Sequence, residues 1–224
     1  MSGRFQILLH FSKVKFRDTQ LKDSSIASAN YAYAFGNVLL VCADSFEMEA
    51  DFLDKLERTF ANSVAKRKFL LLHEPLFPAN KFCWYAYKKD AAKREKLLEI
   101  VAKNKVTVIA GHIHDYSLMR RSTDFGDIVQ LTLCSVIRDL NKSSAKKVYD
   151  SYGDSLILDF PKHSPQTVEE RLKIIERERP FVKSFRMMDL PGYGIVRVGE
   201  SGSAVLEFYT LASEEPAEVV KLSD

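Results

Sequence analysis

The sequence predicts an α/β protein with a partly parallel sheet, and three observations lead there. Phe69-Leu-Leu-Leu72 and Val106-Thr-Val-Ile-Ala110 are continuous apolar runs, as strands buried on both faces require. Between them, residues 90–103 are rich in Lys and Glu and carry Leu97, Leu98, Ile100 and Val101, the pattern of a helix with one core face. Both runs end in histidine: His73 before Pro75, and His112 and His114 after Gly111. Strand, helix, strand is a βαβ unit. Its parallel strands put both carboxyl ends on one sheet edge, the edge where ligands bind in open α/β folds.

The other elements follow in order. Residues 5–9 are a short apolar run that reads as a strand, and 13–28 read as a polar connection. Runs 31–35 and 38–43 flank Gly36-Asn37, a pair suited to a tight hairpin turn. Residues 46–64 space Phe46, Ala50, Phe52, Leu53, Leu56, Phe60 and Ala61 as one helical face, with an acidic first half that complements the helix dipole. Beyond the histidines, 116–121 and 128–136 read as strands around a turn at 122–127. Residues 138–164 turn polar and irregular, and Thr167 opens a short helix with Leu172, Ile174 and Ile175 on its core face. Strands at 181–187, 194–198 and 204–211 close the chain, and the acidic tail after Ala212 reads as frayed.

The organisation is therefore an N-terminal segment (1–30), a core (31–136), an irregular insertion with a short helix (137–180), closing strands of the same domain (181–212) and a tail (213–224). With 46% hydrophobic residues and 15 Phe, 224 residues suffice for a sizeable core. Lys and Arg (33) exceed Asp and Glu (30) by three, so bulk charge makes no case for nucleic acid or an anionic membrane. Cys42, Cys83 and Cys134 are odd in number and widely spaced, which reads as buried free thiols. No apolar run approaches the ~18 residues that span a bilayer, and no signal peptide is visible, so the default expectation is a cytoplasmic chain.

Near an extended backbone, residues two apart point the same way, about 6.5 to 7 Å apart. His112 and His114 are thus expected to share one pocket, serving one metal or two adjacent ones. Gly111 lets the backbone turn sharply or approach an ion closely. A single histidine at a strand end is more often structural. Three converging on one edge point to ligands instead. Trp84 and Tyr85, in an aromatic loop near His73, are substrate-pocket candidates, and Arg120 is a candidate anion contact.

Phe69-Leu-Leu-Leu-His-Glu-Pro-Leu-Phe77 followed by Val108-Ile-Ala-Gly-His-Ile-His-Asp-Tyr116 resembles the last two motifs of the calcineurin-like metallophosphoesterases. The hairpin at 31–45 and the strands at 192–209 are similar to parts of the same family. The resemblance implies the C-terminal portion of a double β-sheet sandwich flanked by helices, and a dinuclear centre. It implies that His73 and His112 bind one metal and His114 the other. Neutral imidazole suits Zn, Fe or Mn. Two such ions ~3.5 to 4 Å apart hold a hydroxide nucleophile and clamp the phosphate of a monoester or diester.

The family's other motifs, Asp-x-His, Gly-Asp-x-x-Asp and Gly-Asn-His-Asp/Glu, have no match. Gly36-Asn37, Gly126-Asp127 and Gly153-Asp154 lack the residues that should follow, so no catalytic residue is identifiable. Three neutral ligands shared by two dications would leave their charge uncompensated. Two expectations follow. In the first, this chain supplies only the C-terminal half of a phosphoesterase site that a missing N-terminal portion or a second chain completes. In the second, it is an inactive scaffold or interaction module.

Overall fold

The computed structural model describes residues 5–8, 30–44, 50–79, 91–134, 148–153, 168–211 and 213–222. Its elements are β1 (Phe5–Leu8), β2 (Tyr31–Phe35), β3 (Val38–Cys42), α1 (Ala50–Ala61), β4 (Arg67–Leu72), α2 (Ala91–Lys103), β5 (Thr107–Ala110), β6 (Tyr116–Thr123) and β7 (Gly126–Thr132). They continue with β8 (Val148–Tyr149), α3 (Val168–Glu178), β9 (Val182–Met188), β10 (Gly192–Val198), β11 (Ala204–Thr210) and β12 (Glu218–Lys221).

A large mixed sheet runs β2-β3-β4-β5-β7-β6-β9-β8, and a second sheet runs β1-β10-β11-β12. β3, β4, β5 and β7 are parallel neighbours, so the βαβ unit of β4, α2 and β5 forms as its apolar runs demand. The hairpin turns at Gly36, whose φ of 55° lies in the left-handed region that glycine tolerates.

Strand alternation divides the interior into two layers. Leu39, Val41, Leu70, Leu72 and Val108 face the helices, where Leu53, Leu56, Phe60, Leu97, Leu98, Ile100 and Val101 meet them. Val38, Leu40, Phe69 and Ile109 face the second sheet and pack with Val196, Val198, Leu206 and Phe208. A strand covered on both sides reads as unbroken apolar sequence, which explains Phe69-Leu-Leu-Leu72. The architecture is the double-sheet α/β arrangement that the sequence predicts.

Several local expectations are corrected. Ala50 and Ala61 are exposed, because Leu53, Leu56 and Phe60 fill the contact of α1 and alanine has little apolar surface to bury. Leu172 is 38% exposed, since Ile175 and Glu178 take the inward face of α3. The β6–β7 turn tightens to Asp124-Phe125, lengthening β6, and β8 adds an unexpected short strand against β9. The tail is not frayed throughout. Glu218-Val-Val-Lys221 pairs antiparallel with β11, and Leu222 is 2% exposed against the sandwich core. Cys42 and Cys134 are free thiols but only half-buried, each at the end of a strand or just beyond it. Cys83 and residues 13–28 lie outside the described residues, as do 45–49 and most of 138–164. Among the described residues, no helix is long and apolar enough to cross a membrane.

Candidate functional site

β4 and β5 pair in parallel, Leu72 beside Ala110, and the ladder extends one step further where Gly111 N–H donates to the His73 carbonyl at 3.1 Å. That step brings His73 and His112 together. The His112 Nδ1 and His73 Nε2 atoms stand 3.0 Å apart, one donating and the other accepting, with the rings nearly perpendicular at 82°. Burial first, then the neighbouring His73 and His114, hold the His112 imidazole below its ordinary pKa. It is therefore neutral at neutral pH and keeps a lone pair available.

The backbone carrying these side chains is not extended, which corrects the expectation for His112 and His114. His112 and His114 have φ of 66° and 60°, both in the left-handed region. Ile113 N–H donates to the Gly111 carbonyl at 2.8 Å, closing a three-residue turn with His112 at its centre. Ile113 is 1% exposed and anchors the turn in the helix-side core. For a residue with a Cβ, the left-handed region costs roughly 1–2 kcal/mol. Gly111 itself lacks a positive φ, and a Cβ there would sit 3.7 Å from the His73 carbonyl oxygen, an ordinary contact. The sharp turning expected of the glycine is done by the two histidines.

Sequence reasoning missed two carboxylates on this edge. Asp44 follows β3, whose Cys42 pairs with Leu71, so Asp44 ends one strand over from His73. Its N–H donates to Asn30 Oδ1 at 2.7 Å. Asp115 follows His114, is 9% exposed, and its carbonyl accepts from Thr132 Oγ1 at 3.1 Å. The signal for Asp44 was available: it ends its apolar run just as His73 ends the next. Even so, among the described residues no group of three or more His, Cys, Asp or Glu side chains stands close enough to hold a metal ion.

Arg120, the candidate anion contact, is elsewhere. Arg120 lies four residues into β6, about 13 Å along the strand from Tyr116, and donates to the Lys221 carbonyl at 2.7 Å. Its neighbour Arg121 is 7% exposed and bonds Glu178 at 2.7 Å. Trp84 and Tyr85 lie outside the described residues. Asn37 bonds the carbonyls of Gly199 and Glu200, and Asp127 bonds Lys183, so both tie strands together.

A tetrahedral ion bound by two imidazoles at 2.0–2.1 Å separates their nitrogens by roughly 3.3 Å. The observed 3.0 Å between His73 and His112 lies close to that spacing. Two ions sharing a bridging ligand need carboxylates as well, so the described residues do not fit a dinuclear centre on their own.

No family model and no curated protein matches the sequence. Solved structures do match. A purple acid phosphatase, PPD1, from yellow lupin (Lupinus luteus) seeds superimposes with a TM-score of 0.54 and 11% identity, over 86% of this chain and 32% of that one. The likeness is one of fold. GAP50, the anchor in the inner membrane complex of Plasmodium, matches with a TM-score of 0.48 and 12% identity over 87% of this chain and 53% of its own. PhoD matches with 0.48 and 13% over 86% and 40%. The chain thus spans about a third of the lupin phosphatase, and the large sheet, few helices and second sheet resemble a phosphoesterase fold.

Proposed function

We propose that this chain is part of a metal-dependent phosphoesterase and contributes the imidazole side of its site. The observation that carries the reading is the contact between His73 and His112 at the carboxyl edge of parallel strands, on a turn that holds two non-glycine residues left-handed. Backbone outliers of this kind concentrate at functional sites, because the surrounding structure must hold them in place. The likeness in fold to a purple acid phosphatase supports the same reading. In it, Ile113 fixes the turn, His73 and His112 present ring nitrogens to a transition metal ion, and exposed His114 serves the second position. The carboxylates, and with them phosphomonoester or phosphodiester turnover, come from a further segment or a second chain.

One observation favours a second reading, a non-catalytic scaffold: the described donors stop short of a group of three. Equilibrium dialysis against Zn(II) and Mn(II), with the chain and with His73→Ala and His112→Ala, separates the two. The phosphoesterase reading expects metal retained by the parent chain and lost from both variants, with negligible hydrolysis of a generic phosphomonoester by the chain alone. Retention that is absent in the parent, or equal in the variants, sinks it in favour of the scaffold.

A further inference from the structure

The large sheet ends at β2 on one side and at β8 on the other. An edge strand offers open N–H and C=O groups to other chains, and short length, charges, proline or a bulge keep it from pairing. β8 is two residues long and runs into Asp150. β2 has none of these safeguards. Its five residues, Tyr31-Ala-Tyr-Ala-Phe35, carry no charge and no proline and pair with β3 in unbroken register.

The hairpin decides which backbone groups face outward. Phe35 and Val38 flank the two-residue turn and close it as a hydrogen-bonded pair. Bonded and unbonded pairs alternate along an antiparallel ladder, so Tyr33 and Tyr31 also bond β3, and Ala32 and Ala34 aim N–H and C=O away from it. Among the described residues, no strand pairs with that side of β2. Solvent reaches it: Ala34 is exposed and Tyr33 is 36% exposed, its ring stacked on Phe35 at 5.3 Å.

We propose that β2 pairs with the β2 of a second copy of this chain, joining two large sheets across a two-fold axis. Run antiparallel about an axis at Tyr33, the second strand sets Ala32 of each copy opposite Ala34 of the other, and each such pair exchanges two hydrogen bonds. All the outward groups of Ala32 and Ala34 are satisfied at once. The two Tyr33 side chains meet at the closer, unbonded position, where cross-strand aromatic pairs stabilise a sheet. A two-fold axis also opposes every charge on it to an equal charge, and residues 30–37 hold none to repel. One short strand from each copy is a small interface, so the dimer is weak and forms at high concentration. The pairing adds nothing to the contact of His73 with His112, two and three strands away, and is independent of the metal-dependent reading.

Sedimentation velocity over about a hundredfold range of protein concentration tests the pairing, because such a dimer gains population by mass action. A reversible monomer–dimer equilibrium is expected, with hydrogen exchange of the 31–35 amides slowing as the dimer fills. Ala34→Pro removes an outward N–H at an edge position that tolerates proline. Tyr33→Lys, at a side chain whose replacement spares the core, sets two ammoniums against each other across the axis. Each should raise the dissociation constant at least tenfold. Val219→Lys, on the exposed edge strand β12 of the other sheet, should leave it within twofold. A parent that stays monomeric overturns the proposal, whether or not another chain's strand takes the edge. So does a dimer that both β2 variants leave unchanged, one that Val219→Lys weakens equally, or one whose 31–35 amides exchange as fast as in the monomer.

Discussion

Two polar assemblies in this molecule are built on opposite terms. Arg94, Arg121 and Glu178 are buried together: Arg121 Nε donates to Glu178 at 2.7 Å, and Arg94 Nη2 reaches its other oxygen at 3.5 Å. Arg94 Nε also donates to the Leu76 carbonyl, and both guanidiniums lie over the Phe77 ring, at 5.4 and 4.8 Å. With Glu95 accepting from Arg94 Nη1 at 3.2 Å, two carboxylates meet the two guanidiniums, and the result ties α2, β6 and α3. His112, held neutral chiefly by burial and only half-buried, sits on a strained turn against the exposed His73 ring. A saturated assembly holds elements together and has nothing left to offer a ligand. A neutral, accessible and strained one costs stability and keeps lone pairs in reserve.

The largest effect is expected at Glu178. Glu178→Ala removes the carboxylate that Arg121 bonds at 2.7 Å, while Arg94 keeps Glu95 at 3.2 Å, and a loss of about 3–5 kcal/mol is expected in urea denaturation. A loss below ~1 kcal/mol would mean that the cluster does not tie the layers. A smaller effect is expected at His114, which is exposed with φ 60°. His114→Gly should be more stable than His114→Ala by about 1 kcal/mol, because only the glycine relieves the left-handed backbone. Equal stabilities would show that the left-handed backbone at His114 carries no strain.

The smallest effect is a pH dependence. The folded His112 imidazole is held below the value it has in the unfolded chain, chiefly by burial. The unfolded state therefore binds the proton more readily, so the stability associated with neutral His112 is present above about pH 6.5 and lost as pH falls through the depressed folded value. Denaturation midpoints of the parent should drop more steeply on acidification below that pH than those of His112→Gln. Parallel curves would show that the imidazole is not desolvated in solution.

Much of the fold was legible because its strands are short apolar runs ended by Gly, Pro or His. The parallel strands could be named but not oriented, since an unbroken run such as Phe69-Leu-Leu-Leu72 hides which residue faces which layer. β12 was missed because Glu218 and Lys221 at its ends read as tail, although Val220 meets the sandwich core. At the site, strand-then-histidine spacing put His73, His112 and His114 on the correct edge. The left-handed turn was not legible, because Gly111 drew attention to a residue of the turn that needs no special conformation. Glu178 was invisible for a different reason: its partners lie 57 and 84 residues away, and sequence pattern reports only near neighbours.

Along β6, Leu118 faces the second sheet, Met119 the helices, Arg120 the Lys221 carbonyl, and Arg121 Glu178. Because side chains alternate, sliding this strand by one residue would carry Arg121 into the apolar sandwich and Leu118 toward the helices. Two adjacent arginines with partners on opposite faces thus work as a keyed fit. A one-residue slip is thereby penalised at two places at once.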